Sequence, residues 1–181
     1  MKHIAFTGWG SGWHITPIAA LIEYGLQDTD IASQCKLFRF WERNSAEERC
    51  AKNYIEVTFI PVFCGKLRRY FSFTSVWLNI QDAFLWVIWI IQTAYLLHKY
   101  RIDYLFCKWG YVALPVCIAA YIMRVPIALH ESDTYAGMTN RLVAKMTHQR
   151  FVWFPDVLAP STCIGQLLSP RLLHPEKSFF N

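Results

Sequence analysis

His3-Ile-Ala-Phe-Thr-Gly8-Trp-Gly10-Ser-Gly12-Trp-His14-Ile-Thr-Pro17 joins an apolar run to a glycine-studded turn and then to a proline. Ile4–Phe6 reads as a strand. Pro17 reads as the start of a helix over 17–26, because the N–H that proline lacks has no partner at the first helical position. Strand, glycine turn and helix is the layout in which backbone N–H groups and a helix N-terminus hold a phosphate. A plain structural turn explains many such glycine strings, and only the placement between strand and helix favours the phosphate. Trp9 and Trp13 run against the pattern, since close approach of a ligand to the backbone wants residues without side chains.

Further short apolar runs follow at Leu37–Phe40, Val57–Val62, Tyr104–Cys107, Ile127–His130 and Phe151–Phe154. Helical stretches are expected between them at 46–53, 75–99, 114–123 and 137–147. Short continuous apolar strands alternating with helices predict an α/β fold, a Rossmann-like parallel sheet with helices on both faces. Ligands of such sheets gather at the carboxyl ends of the strands. His14, Trp109–Tyr111 and His130–Asp133 each follow a predicted strand and are therefore expected at one edge. Residues 155–181 carry Pro155, Pro160, Pro170 and Pro175 with little periodicity, and read as a linker after a domain spanning 1–154.

With 181 residues the chain has the size of one domain. A net charge of +5 suits an anionic partner such as nucleic acid, anionic lipid or a phosphorylated substrate, and equally suits mere solubility. The six cysteines, at 35, 50, 64, 107, 117 and 163, form no Cys-x-x-Cys pair and no zinc spacing, so reduced core thiols are expected. Strand residues start directly after Lys2, which leaves no room for a signal peptide within the chain. Ala83–Leu97 is the most apolar stretch, but a membrane span needs about 20 residues. A buried or interfacial helix is the expectation there.

Three more motifs carry chemistry. Lys108-Trp-Gly110-Tyr111-Val-Ala-Leu-Pro115 follows a strand and precedes a helix, as a simple turn or as a second phosphate loop. His130-Glu131-Ser-Asp133-Thr-Tyr-Ala-Gly-Met-Thr-Asn140-Arg141 is dense in polar groups. Glu131 or His14 could act as a general base, although a lone His or Glu is often a cap or a backbone hydrogen-bonding group. Gly65-Lys66-Leu-Arg68-Arg69-Tyr-Phe71-Ser-Phe73 sets cations beside aromatics, which suits an anionic membrane surface or a solvated loop.

In order and spacing, GWGSGWHITP (8–17), GKLRR (65–69), WGYVALP (109–115), HESDTYAGMTN (130–140) and WFPDVL (153–158) resemble the amino-terminal half of the MurG family. That family adds N-acetylglucosamine (GlcNAc) from UDP-GlcNAc to lipid I, an undecaprenyl-linked MurNAc-pentapeptide, giving lipid II for peptidoglycan. The resemblance implies the acceptor-side domain of a two-domain GT-B glycosyltransferase, peripheral on the cytoplasmic side of the cell membrane. Residues 155–181 then lead towards a donor domain. It implies catalysis by His14 or Glu131, donor contacts from Ser11, Gly12, Trp13 and Asp133, and diphosphate contacts from Gly10, Gly110, Tyr111 and Asn140. Lys66, Arg68, Arg69, Phe71 and Phe73 fall to the membrane surface, and no cofactor, metal or nucleic acid is implied.

Two departures stand out. The pattern's Gln-Asn is Ser132-Asp133 here, and an acid beside a diphosphate repels it. Trp9, Trp13, Trp109 and Trp153 fall where the family has glycine, with Trp41 and Trp89 as further candidates. UGA codons that some bacterial codes read as glycine, here translated as tryptophan, explain both the many tryptophans and the few glycines. A degenerate, inactive paralogue is the rival. A non-catalytic membrane-anchor subunit of a split GlcNAc transferase, with a separate donor subunit, is the other alternative reading.

Overall fold

The computed structural model describes residues 1–8, 12–42, 56–62, 73–108, 110 and 113–168. Among them run β1 (Lys2–Gly8), α1 (Gly12–Gln27), α2 (Thr29–Gln34), β2 (Cys35–Glu42), β3 (Val57–Val62) and α3 (Phe73–Lys99). Then come β4 (Tyr104–Lys108), α4 (Ala113–Ile122), β5 (Ile127–Glu131), α5 (Met138–Ala144), β6 (Gln149–Val152) and β7 (Thr162–Cys163). The strands form one sheet in the order β3-β2-β1-β4-β5-β6-β7, and every neighbouring pair is parallel.

The strands are apolar on consecutive positions because both faces of the sheet are covered. Alternate side chains go to opposite sides. Ala5, Phe38, Phe40, Leu105 and Leu129 join a core with α3, α4 and α5 residues such as Leu97, Val116 and Val143. Phe6, Leu37, Trp41 and Val57 join a second core with Ile18 and Ile22 of α1. Trp41 is fully buried in that second core, and its indole N–H has no acceptor among the described residues. An unsatisfied buried donor costs about 1–3 kcal/mol.

Several boundaries differ from the sequence reading. The first helix starts at Gly12, so Pro17 lies inside it rather than opening it. Proline's fixed φ suits helical backbone, and its place just beyond the first turn removes a single intrahelical bond. α2 had no apolar signal at all: it buries no residue and is held by Asp28, whose side chain accepts from the N–H groups of Asp30 and Ile31 at 3.0 Å. The last helix ends at Ala144, short of the expected 147, where Thr147 Oγ1 caps the Ala144 carbonyl at 2.9 Å. Beyond position 154 the two-residue β7 adds to β6. The helix expected over 46–53 lies outside the described residues. Cys35, Cys107, Cys117 and Cys163 are free thiols, the middle two buried.

Candidate functional site

The sheet reverses its direction of growth between β1 and β4, with β2 and β3 on one side and β5 to β7 on the other. In a parallel α/β sheet the crevice at such a point, beyond the carboxyl ends of the strands, is where ligands bind. Gly8 ends β1 and pairs in register with Lys108, which ends β4. A Cβ on Gly8 would stand 2.5 Å from the Lys108 carbonyl oxygen and 2.8 Å from the Trp41 ring, so only glycine fits. Gly110, buried, has φ 124, a conformation that L side chains rarely adopt. α1 and α4 begin at Gly12 and Ala113, so two helix N-termini, the positive ends of their dipoles, follow closely on these strand ends; the Ala113 N–H is already used, donating to the Gly110 carbonyl at 3.2 Å.

At the end of β5 the polar motif closes on itself. Glu131 is 1% exposed; its Oε1 accepts from the Asp133 N–H at 3.0 Å and its Oε2 from Asn140 Nδ2 at 2.7 Å. Burial pushes the Glu131 carboxyl up, and those two donors pull it back. Asn140, fully buried, has its Oδ1 without a partner among the described residues. His130 is also fully buried, and its Nε2 lies 3.1 Å from the Gly165 carbonyl. Burial, then the charge of Lys108, lower its pKa to about 4, so the imidazole is neutral at pH 7 and Nε2–H donates to Gly165. Lys108 Nζ donates to Ser132 Oγ at 2.6 Å.

Of the residues singled out in the sequence, Glu131, Asp133 and Asn140 are therefore joined by hydrogen bonds, with Asp133 exposed at the turn. Gly12, Trp13 and His14 make up the first turn of α1. Their helix follows β1, which lies two strands from β5, about 9.6 Å away at normal strand spacing. Gly10, Ser11, Trp9, Trp109, Tyr111, Lys66, Arg68, Arg69 and Phe71 lie outside the described residues. Phe73 is the first residue of α3, and no described helix is long and apolar enough to cross a membrane. Trp153 is partly exposed and stacks on Phe154, ring centroids 5.1 Å apart. Two buried polar residues, Lys108 and His130, carry more of the site than the sequence reading gave them. A lysine closing an apolar strand of a parallel sheet was the available signal, since neither face of such a strand is open to water.

Strand order and switch point define the class: a Rossmann-like domain of the kind that forms the amino-terminal half of GT-B glycosyltransferases. Residues 4–152 match the glycosyltransferase family 28 N-terminal domain, and the chain belongs to that family. It is 33% identical over 155 residues to a UDP-N-acetylglucosamine--N-acetylmuramyl-(pentapeptide) pyrophosphoryl-undecaprenol N-acetylglucosamine transferase of Borreliella afzelii, covering 86% of this chain and 41% of that protein. A transferase of the same name from Bacillus thuringiensis strain Al Hakam is 33% identical over 156 residues, with 86% and 42% covered. Among solved structures, Acinetobacter baumannii MurG superposes with a TM-score of 0.70 at 20% identity, covering 92% of this chain and 45% of that one. Neisseria meningitidis UDP-GlcNAc 2-epimerase, bound to UDP-GlcNAc, superposes with a TM-score of 0.57 at 14% identity, covering 86% and 41%. The chain spans about two fifths of the length of the curated relatives it matches.

Proposed function

We propose that this chain is the acceptor-side half of a hexosyltransferase that moves GlcNAc from UDP-GlcNAc to the 4-hydroxyl of a lipid-linked MurNAc-pentapeptide. The observation that carries the reading is the aligned relationship to transferases so named, over 155 residues and 86% of this chain. A single inverting displacement without metal accounts for the chemistry. His14 serves as the base, supported by its place in the first turn of α1; Glu131 commits both carboxylate oxygens inside the protein and so orients the turn after β5. Gly10, Gly110 and Tyr111 attend the acceptor diphosphate, with helix N-termini stabilising its charge; Asn140, fully buried and donating its amide to Glu131, supports the turn from behind instead of touching the ligand. Ser11, Gly12, Trp13 and Asp133 face the donor, most of whose site belongs to a second domain or a separate donor subunit.

Attachment is peripheral, at the anionic cytoplasmic face of the membrane. Lys66, Arg68 and Arg69 supply roughly 1 kcal/mol each near such a surface, and Phe71 and Phe73 add apolar contact. On α3, the residues Val87, Ile88, Ile91 and Tyr95 are each more than half exposed, which supports a helix lying against lipid.

The chain by itself is expected to give no turnover of UDP-GlcNAc with a lipid I analogue, and measurable transfer by the purified chain would refute the half-enzyme reading. Trp9, Trp13 and Trp109 are taken as recoded glycines, for which UGG codons would be decisive against. Replacing these three by glycine lets the backbone approach the diphosphate, where each charge-assisted N–H contact contributes roughly 1.5–3 kcal/mol. Binding of a lipid I analogue, measured by calorimetry, is expected to tighten by tenfold or more, a step of about 1.4 kcal/mol. Equal affinities would remove the diphosphate from these loops.

A further inference from the structure

Asp133 poses a problem for any phosphate reading of this edge, because it adds a carboxylate beside Glu131. The fold answers it from the neighbouring strand. Lys108 is the last residue of β4, pairs with His130 of β5 and Gly8 of β1, and is fully buried. Its Nζ donates to Ser132 Oγ at 2.6 Å, between the two acids in sequence. A buried ammonium with nothing to balance it is strongly unfavourable. Here Glu131 and Asp133 both act to keep it charged against the burial that lowers its pKa to about 8. Among the described residues the other titratable groups facing it are His130, neutral at pH 7, and Cys107 on its own strand. The cluster therefore sets one positive charge against two negative ones.

We propose that Lys108 is a positioning residue of this site: through Ser132 it fixes the turn after β5, and its charge offsets Glu131 and Asp133 so that the switch point can take an anionic group such as a diphosphate. This rests on the diphosphate reading above. It explains why the Ser132-Asp133 pair can occupy the edge without closing it to phosphate. It also assigns a use to a lysine that would otherwise be an expensive way to end a core strand.

Two measurements on the chain test it. In the first, lysine side chains labelled with 13C are titrated by NMR, with Lys108→Met assigning the resonance. The Lys108 midpoint near 8 is expected to fall in Asp133→Asn, and an unmoved midpoint overturns the charge balance. In the second, farnesyl diphosphate binding is followed by calorimetry as pH rises through that midpoint. Affinity is expected to fall as the ammonium is lost, to stay level in Lys108→Arg, and to be weaker by roughly tenfold and flat with pH in Lys108→Met. Adding Asp133→Asn to Lys108→Met is expected to restore most of the loss, which a packing role for the lysine would not produce. Wild-type affinity in Lys108→Met overturns the proposal. Absence of binding by every variant removes the diphosphate reading and the ligand half of the proposal with it, while the titration still decides the charge balance.

Discussion

The two halves of the switch-point edge are built in opposite ways. At the β1–β4 junction the geometry depends on side chains that are missing: Gly8 faces the Lys108 carbonyl where a Cβ would sit 2.5 Å away, and Gly110 adopts φ 124. After β5 it depends on side chains that are present and hydrogen-bonded, Glu131 through both carboxylate oxygens to two N–H donors and His130 through Nε2 to the Gly165 carbonyl. The first half packs strand ends together with no room for a side chain at Gly8. The second is a polar brace that holds its own loop. Substitution should therefore hurt the first half by addition and the second by removal.

The largest effect is expected from Glu131→Ala. It strands Asn140 Nδ2, in a residue whose Oδ1 already has no partner among the described residues, and frees the Asp133 N–H. At about 1–3 kcal/mol for the buried Asn140 amide left unpaired, and about 1.5 kcal/mol for the charged hydrogen bond lost at the exposed turn, the loss of stability should be about 4 kcal/mol in urea unfolding. A change within about 0.5 kcal/mol, typical of surface positions, would mean the brace holds nothing.

Acid sharpens the same point through His130. Its pKa falls from the ordinary 6.5 to about 4 in the folded chain, so between these values the unfolded chain binds the proton and the folded one does not. Its contribution to stability is thus complete above pH 6.5 and is lost as pH drops towards 4. At 1.36 kcal/mol per pH unit, roughly 3 kcal/mol is at stake. His130→Gln should lack this part of the acid slope, and identical slopes would place the imidazole in water.

Gly8→Ala is the smallest of the three. Both groups met by the new methyl, a strand carbonyl and a buried indole, are held by their surroundings. Overpacking of this kind costs about 1–3 kcal/mol, and about 2 kcal/mol is expected from the same unfolding assay. Unchanged stability would show that β1 and β4 can separate freely at their ends, and the contrast between the two halves would go.

How much of this was legible in the sequence follows from where burial leaves a pattern. The six longer strands are continuous apolar runs, because helices cover both faces, and each was read within a few residues of its ends. α2 and β7 left no such trace: one buries nothing and is made by a single Asp cap, the other is two exposed residues. Pro17 misled, since a residue suited to the start of a helix also tolerates a place just past it. Gly8, Gly110 and Glu131 fall at one edge of the sheet, as expected of residues that each close or follow a strand. Lys108 and His130 were harder, because a lone Lys or His within a motif looks the same whether it faces water or is sealed between strands. Only the sheet order, which brings β4 beside β5, reveals what they meet.

The Gly165 contact also has a mechanical side. After β7 the chain is pinned to the buried imidazole of His130, one residue from the carboxylate that shapes the turn. Because β7 also pairs with β6, the strap at 162–165 is tied to the tips of two neighbouring strands, and the polar loop and the departing chain share one anchor.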